Sequence, residues 1–320
     1  AEVARYHHAK AQQGGDLRDY REAERYYRRY LEEFPNETDT ASINFLLAEV
    51  LFEMEDFAEA TDEYERTAYA YPDHNRSAEA GYAALLSYQA HEHSLHGTAK
   101  ANWHQRYLDA SLTFAESCPD HPQWGRVMTT VAEDFFALDE FDRAIENARA
   151  VLAKQPPIEA DLARTAWIVI AHSAFKLGKF AMAEDAYYQA QAVTESSDLQ
   201  EPLNVNERFA ASIYKQGEQA RNSGDLESAV THFRRVKRAV PNSRIAEVAE
   251  YDAAAALINL LAWDRAVDVL EAFRRDYPDS EYAADASKKL AVSYMNAGRS
   301  IEAAQEFERI SLADTSSEDV

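Results

Sequence analysis

Small and aromatic residues recur along the chain at regular intervals. The pattern is most often a polar residue, an aromatic residue, two further residues and an alanine, as in Asp19-Tyr20-x-x-Ala23. Successive alanines are 37, 84, 39, 46, 37 and 37 residues apart, and the interval of 84 leaves room for one irregular repeat. The pattern therefore predicts eight repeats, with this alanine at Ala23, Ala60, Ala144, Ala183, Ala229, Ala266 and Ala303.

Two further series keep the same register. Another small residue stands twelve residues before each alanine, and in most repeats a proline follows twelve residues after it. Paired small residues predict two antiparallel helices in close contact, because larger side chains would push them apart. Proline lacks the N–H that a helix interior needs, so it ends each second helix. Aromatic residues of the second helices are expected in the core: Tyr27, Tyr64, Tyr187, Phe233 and Phe307.

These three series resemble the tetratricopeptide repeat, a helix–turn–helix unit with a small residue at its eighth position, alanine at its twentieth and proline near its thirty-second. The resemblance covers residues 4–310. It implies an all-α fold, a right-handed superhelical solenoid of about eight antiparallel helix pairs. Most repeats have 37 residues rather than 34. That longer linker resembles the repeats of bacterial envelope proteins such as the outer-membrane-protein assembly lipoprotein and the Tol-Pal coordinator. It implies a periplasmic or outer-membrane-associated location, with a cytoplasmic one as the alternative.

The register also predicts the organisation of the chain. We expect an N-terminal stack of repeats one to five over 1–194, a linker over 195–206, a C-terminal stack of repeats six to eight over 207–310 and a flexible acidic tail over 311–320. The irregular third repeat carries a polar insertion, 91–101, for which a protruding loop and lengthened helices are both open. Tyr107 stands at its alanine position, so close helix contact is not expected there. The chain is expected to be part of a longer protein, since neither end carries an evident capping helix.

Composition narrows the class of protein. The chain is 46% hydrophobic and 28% charged, enough for a core, and its 9 glycines and 9 prolines are too few for a turn-rich β fold. Lys and Arg number 33 against 56 Asp and Glu, a net charge of −23 that repels phosphate backbones and anionic lipids. Nucleic acid and membrane are therefore disfavoured as partners. A single cysteine, Cys118, excludes an internal disulfide.

Catalytic and cofactor motifs are absent from the sequence. It contains no phosphate-binding glycine loop, no His-Glu-x-x-His motif and no Gly-x-Ser-x-Gly motif, so we expect neither enzyme activity nor a cofactor. The one candidate metal cluster is the segment 91–96, rich in histidine. On a helix, His93 and His96 would share a face and could bind a metal with Glu92 or His104 nearby. The alternative is a solvent-exposed turn, which we favour, so no metal site is predicted.

The first helix of each tetratricopeptide repeat lines a concave groove that binds proteins, and the resemblance transfers those positions to this chain. Aromatic residues there would provide apolar anchors, and carboxylates would attract a basic partner. We therefore expect a non-catalytic scaffold whose partner is a protein or peptide that is basic and has apolar anchors. The groove residues are Phe45, Glu49, Phe52, Glu53, Glu133, Phe136, His172, Phe175, Lys176, Tyr214, Glu218, Arg221 and Tyr251.

Two other functions stay open at this point. One is a regulatory or positioning domain of a larger enzyme or secretion machine, and the other is a metal-dependent enzyme built on the histidine segment. The carboxylate clamp of chaperone-binding relatives is not expected. No asparagine stands at the ninth groove position of the mapped repeats, where Glu49, Glu133 and Glu218 would repel a free carboxylate.

Overall fold

The computed structural model describes residues 1–72, 74–197 and 205–317. Within these residues the chain forms sixteen α-helices and one π-helical segment, with no β-strand. The π-helical segment is Arg66–Ala70, directly after α4. The α-helices are α1 (Glu2–Gly14), α2 (Leu17–Glu33), α3 (Thr40–Glu53), α4 (Phe57–Glu65), α5 (Ser77–Glu92), α6 (Gly97–Ser117), α7 (Trp124–Ala137), α8 (Phe141–Ala153), α9 (Ala160–Lys176), α10 (Phe180–Ser197), α11 (Val205–Asn222), α12 (Leu226–Ala239), α13 (Ile245–Asn259), α14 (Trp263–Asp276), α15 (Ala283–Asn296) and α16 (Ser300–Ser317).

Helices that are adjacent in the chain pack in pairs, which confirms the predicted all-α fold of paired helices. Within a pair, α1 packs on α2, α9 on α10 and α11 on α12, and the second helix of one pair then packs on the first helix of the next, as α12 does on α13. The small residues of both series are buried where the helices meet. Fully buried examples are Ala11, Ala23, Ala48, Ala60, Ala171, Ala183, Ala254 and Ala266.

The predicted aromatic core is correct for four of five residues. Tyr27, Tyr64, Tyr187 and Phe233 are at most 2% exposed, whereas Phe307 is 46% exposed. Phe307 lies in α16, the last helix of the described residues, so no later helix among them covers its ring. The aromatic residue is therefore a core residue only where a following helix pair packs against it.

The turn inside most helix pairs closes in the same way. A backbone N–H after the turn donates to a carbonyl in the last turn of the first helix, as from Asp56 to Leu51 (2.9 Å) and from Lys179 to Ala174 (2.8 Å). The residue before this donor has a positive φ, which is 70° at Gly178 and 55° at Leu261. This is the left-handed helix end that glycine adopts without steric cost and that leucine adopts with strain.

The irregular third repeat has longer helices and no protruding loop. Helix α5 extends to Glu92 and α6 begins at Gly97, so most of the insertion 91–101 belongs to helices. Helix α6 has 21 residues. Tyr107 is buried, and its hydroxyl accepts a hydrogen bond from Gln89 Nε2 (3.0 Å) on α5.

Contacts between Cα atoms divide the chain into two compact units, Ala1–Asp134 and Phe135–Val320. The predicted stack boundary at 195–206 stays a prediction, because residues 198–204 lie outside the described residues. On either side of that gap, α10 and α11 pack on each other. The flexible tail over 311–320 likewise stays a prediction, and α16 extends to Ser317.

Candidate functional site

First helices of successive repeats are linked by tyrosine–aspartate hydrogen bonds in the second compact unit. Tyr214 on α11 donates its hydroxyl to Asp252 Oδ2 on α13 (2.7 Å), and Tyr251 on α13 donates to Asp285 on α15. Both tyrosines are half-buried. Each bond joins one helix pair to the next, so it holds an aromatic ring in place on the surface of the first helices. We call the surface formed by Tyr214, Glu218, Arg221, Tyr251, Asp252, Asp285 and Lys289 the first-helix face.

Charged groups on the first-helix face are paired with one another. Arg221 Nη1 lies 3.1 Å from Asp252 Oδ2, and its Nη2 lies 3.7 Å from Glu218 Oε1. Lys215 Nζ lies 2.5 Å from Glu218 Oε2, and Lys289 pairs with Asp285. Glu218 and Arg221, both predicted groove residues, therefore belong to one ion-pair network. The carboxylates of Glu218, Asp252 and Asp285 are therefore each paired with a cation.

The two tyrosine rings are further held by aromatic neighbours. Tyr251 stacks on Tyr282 with 4.7 Å between ring centroids, and Lys289 Nζ lies 5.4 Å from the Tyr251 ring centre. The Tyr214 ring lies 5.3 Å from that of Phe233. Burial, followed by the hydrogen bond to Asp252, raises the pKa of Tyr214, and burial also raises the pKa of Tyr251. Both hydroxyls are therefore donors at neutral pH.

Phe136, His172 and Phe175, all predicted groove residues, lie in the second compact unit and are half-buried. The His172 ring lies 5.8 Å from Phe136 and 5.7 Å from Tyr187. Phe136 also packs on Phe141. Burial, followed by the Arg208 cation, lowers the pKa of His172 to about 4. His172 is therefore a neutral aromatic neighbour at physiological pH and not a charged one.

Two of the predicted phenylalanines mark a recurring pair at the end of the first helix. Phe175 lies 5.1 Å from Phe180, and Phe52 lies 5.1 Å from Phe57. In each case the second ring is the aromatic residue that begins the second helix. These rings are half-buried, so only part of each is available to a partner. Lys176, beside Phe175, is exposed.

The first compact unit requires corrections to the predicted groove. Phe45 is only 2% exposed, because its ring packs edge-on against Tyr64 (5.6 Å between centroids) and under the Arg76 guanidinium. It is a core residue and offers no surface to a ligand. Glu49 accepts a hydrogen bond from the Tyr64 hydroxyl (2.6 Å). Its carboxylate is therefore engaged within the fold.

Glu53 and Glu133 differ from each other in their surroundings. Glu53 Oε2 lies 2.9 Å from His8 Nε2, and its Oε1 accepts from Gln12 Nε2 (2.9 Å). Glu133 is exposed, although partial burial of its carboxyl group and then the neighbouring Asp134 raise the pKa of Glu133. Glu53 therefore ties α1 to α3, and Glu133 is the more accessible of the two carboxylates.

The histidine segment does not form a helical metal-binding face. Helix α5 ends at Glu92, and both His93 and His96 are exposed in the turn before α6. Glu92 instead contacts His104 Nδ1 (3.2 Å) and Lys100 Nζ (3.6 Å). Across the residues that the structure describes, no three His, Cys, Asp or Glu side chains are placed to hold a metal ion.

Asp252, Asp285 and Lys289 are not among the predicted groove residues. Each contributes to the first-helix face from the repeat that follows the tyrosine it contacts. A sequence signal exists for Asp252, which adjoins the predicted groove residue Tyr251. The register within one repeat does not reveal such contacts between repeats.

In the described part of the chain, no helix is long and apolar enough to span a bilayer.

Comparisons with known proteins agree with the repeat register. Two family models described as "Tetratricopeptide repeat" match the chain, one over residues 9–75 and 131–197, the other over 211–243 and 249–280. Together they match more than half of the 320 residues. No curated protein matches the sequence.

Solved structures with a similar fold have low sequence identity. A tetratricopeptide repeat protein from Parabacteroides merdae is 12% identical, with 92% of this chain and 99% of that chain covered and a TM-score of 0.38. The TPR2AB domain of yeast Sti1, in complex with pHSP90, is 13% identical, with 91% and 98% covered and a TM-score of 0.37. YrrB, described as a TPR protein with an unusual peptide-binding site, is 15% identical, with 63% and 91% covered and a TM-score of 0.32.

Proposed function

The chain belongs to the tetratricopeptide-repeat family, and from that premise we propose that it is a non-catalytic scaffold that binds a protein or peptide segment along its first helices. Repeats of this family are generally non-catalytic scaffolds. The observation that supports the proposal is the pair of bonds from Tyr214 to Asp252 and from Tyr251 to Asp285. They hold two half-buried aromatic rings in fixed positions on successive repeats, ready to contact a ligand.

Such a surface suits an extended or helical segment with apolar side chains. Rings that are already ordered lose little conformational entropy on binding, so more of the contact energy contributes to affinity. Tyrosine is also enriched among the residues that contribute most to protein interfaces. Because the carboxylates on the first-helix face are paired with cations, aromatic contacts are expected to dominate the affinity there.

We further propose that the partner is basic. The net charge of −23 attracts cations over a distance of about 8 Å at physiological ionic strength. This attraction is expected to raise the association rate more than it lowers the dissociation rate. A location in the bacterial envelope is part of the proposal and is supported only by the 37-residue repeats.

The proposal is tested by affinity capture from a native lysate with tagged wild type and with the double variant Tyr214→Ala/Tyr251→Ala. Truncating two anchors of an interface typically weakens binding by about tenfold or more. We expect the variant to lose the captured partner. The Phe136→Ala/Phe175→Ala pair tests the neighbouring aromatic residues in the same way, and Glu133→Lys/Glu218→Lys tests the charge.

The matched control is Tyr6→Ala/Tyr188→Ala, which removes two tyrosines that are 65% and 58% exposed. Every variant is first compared with wild type by circular dichroism and urea denaturation, so that a loss of folding is recognised. Capture of the same partners in the same amounts by the Tyr214→Ala/Tyr251→Ala variant would show that the first-helix face is not the binding surface.

A further inference from the structure

A cavity of about 530 Å³ opens between second helices of the first compact unit. Its apolar wall contains Leu31 from α2, the buried Leu47 from α3 and Tyr71, which follows the π-helical segment. The charged side chains of Arg28, Glu63 and Arg66 also line it. The cavity is lined mainly by α2, α4 and the π-helical segment, so it is separate from the first-helix face.

The π-helical segment has an identifiable cause. Asn44, which is fully buried, donates its Nδ2 to the Glu63 carbonyl oxygen (2.8 Å) and to Thr67 Oγ1 (2.9 Å). Thr67 Oγ1 donates to the same carbonyl (2.8 Å). Side chains thus occupy the carbonyl that the Thr67 N–H would bond in an α-helix, and the turn widens. Within the residues described, this is the one π-helical segment, and such segments occur often at functional sites.

Glu63, on the turn before this segment, is left without close hydrogen-bond donors. Its side chain is 15% exposed, and its Oε2 atom is buried and accepts no hydrogen bond. Arg66 Nη1 lies 3.5 Å from Oε2, and Arg28 Nη1 lies 3.9 Å from Oε1. A buried carboxylate oxygen without a donor costs free energy unless a ligand supplies the donor.

In the last repeat, arginine side chains bond the glutamate that is equivalent to Glu63. Glu306 follows Ala303 by three residues, as Glu63 follows Ala60, and Arg309 corresponds to Arg66. Glu306 Oε2 accepts from Arg274 Nη1 (2.7 Å), and Oε1 accepts from Arg309. Two arginines therefore close directly on this carboxylate. At Glu63 the residue that corresponds to Arg274 is Leu31, and Arg66, which corresponds to Arg309, lies 3.5 Å from Oε2, so a cavity is left.

From this difference we propose that the cavity binds the side chain of a lysine from a protein partner, with its ammonium group donating to Glu63. The four-carbon stem of lysine would pack along Leu31, Leu47 and Tyr71. Arg66 is 58% exposed, so it can turn toward solvent without disturbing the core. None of the lining residues belongs to the first-helix face, so lysine binding here does not depend on the proposed function.

A cation fits the site better than an anion does. Arg28 already bonds Glu24 Oε1 (2.9 Å) and Glu59, so little of its charge is left for a ligand. An anion would also meet the carboxylates of Glu63 and Glu32, which both line the cavity. The unfilled hydrogen-bonding capacity belongs to an acceptor, Glu63 Oε2, and an acceptor needs a donor.

The test is a titration of the whole chain with Nα-acetyl-lysine N-methylamide, followed by the NMR shifts of amides around 63–71. Nα-acetyl-norleucine N-methylamide, which lacks the ammonium group, is the matched ligand. We expect saturable binding of the lysine compound only, and a loss of at least about tenfold in Glu63→Gln, because a hydrogen bond to a charged group is removed. Arg66→Ala should bind as tightly as wild type or more tightly.

Glu306→Gln is the matched control variant, since it changes the same repeat position where arginines already fill it, and it should bind as wild type does. Tyr214→Ala/Tyr251→Ala should also leave lysine binding unchanged, which separates this site from the proposed groove. Circular dichroism establishes that each variant is folded. Equal binding of the norleucine compound, unchanged binding by Glu63→Gln, or lost binding in Arg66→Ala would each overturn the proposal.

Discussion

Gly217 on α11 lies directly against the ring of Phe233 on α12. A Cβ atom at Gly217 would stand 2.6 Å from both Cδ1 and Cε1 of the phenylalanine. The corresponding residue of the other regular repeats is alanine, so this helix pair uses the smallest side chain where its core aromatic residue approaches most closely. Phe233 is fully buried and cannot move aside into solvent.

Substitution of Gly217 by alanine should destabilise the chain by about 1–3 kcal/mol, the usual cost of overpacking a dense core. Urea denaturation followed by circular dichroism measures the change. Gly14→Ala is the control, because no atom beyond the neighbouring backbone of its own helix lies within 4 Å of its Cβ position. That variant should be unchanged or more stable by up to about 1 kcal/mol, and equal destabilisation of both variants would contradict the packing argument.

Acidification should destabilise the chain in part through His172. Burial and then Arg208 lower the pKa of His172 to about 4, whereas unfolded histidine titrates near pH 6.5. Between these values the unfolded state binds a proton that the folded state does not, so the free energy of unfolding decreases as pH falls from about 6.5 to 4. His172→Phe keeps an aromatic ring and should remove this dependence, as measured by urea denaturation across that range.

The exposed His93, replaced by phenylalanine, is the control for this pH series. Its profile should parallel that of wild type. If His172→Phe and wild type lose stability in parallel between pH 6.5 and 4, the folded protein protonates His172 as readily as the unfolded chain does, and the argument is wrong.

Removing the Tyr214 hydroxyl should cost about 1 kcal/mol, the typical net value of one hydrogen bond. Tyr214→Phe deletes the bond to Asp252 (2.7 Å) and keeps the ring. Differential scanning calorimetry should record a lower midpoint than wild type. Tyr188→Phe, at a tyrosine that is 58% exposed, should not move it, and a Tyr214→Phe midpoint equal to that of wild type would mean that the bond adds no stability.

Leu261→Gly should stabilise the chain by about 1 kcal/mol. Leu261 has a φ of 55°, a conformation that costs a residue with a Cβ roughly that amount, and its side chain is 67% exposed, so little packing is lost. Leu86→Gly is the contrasting control: Leu86 is 41% exposed but lies in the interior of α5, and glycine there should destabilise by about 1 kcal/mol. Thermal denaturation of both variants measures these changes. A lower midpoint for Leu261→Gly than for wild type would show that the positive φ of Leu261 does not destabilise the chain.

Much of the fold could be predicted because the residues that define each helix pair lie close together in the sequence of one repeat. The small residues, the aromatic residue four positions after the alanine and the closing proline are local requirements of two helices in contact, and they recur in a fixed register. The candidate site was less predictable. Phe45 is aromatic and stands at a groove position, yet Tyr64 and Arg76 bury it. No register position carries that information, since it depends on neighbours from other helices.

The sequence by itself determined the helix pairs, their order and the residues at their contacts, because these follow from spacing that any short segment displays. Only the tertiary structure decided which side chains meet across repeats. Tyr214 donates a hydrogen bond to Asp252, and Glu218 pairs with Lys215 and Arg221. Asn44 donates to the Glu63 carbonyl oxygen, where the helix widens. The physical reason is that hydrogen bonds and ion pairs form over about 3 Å, and packing alone determines which residues come that close.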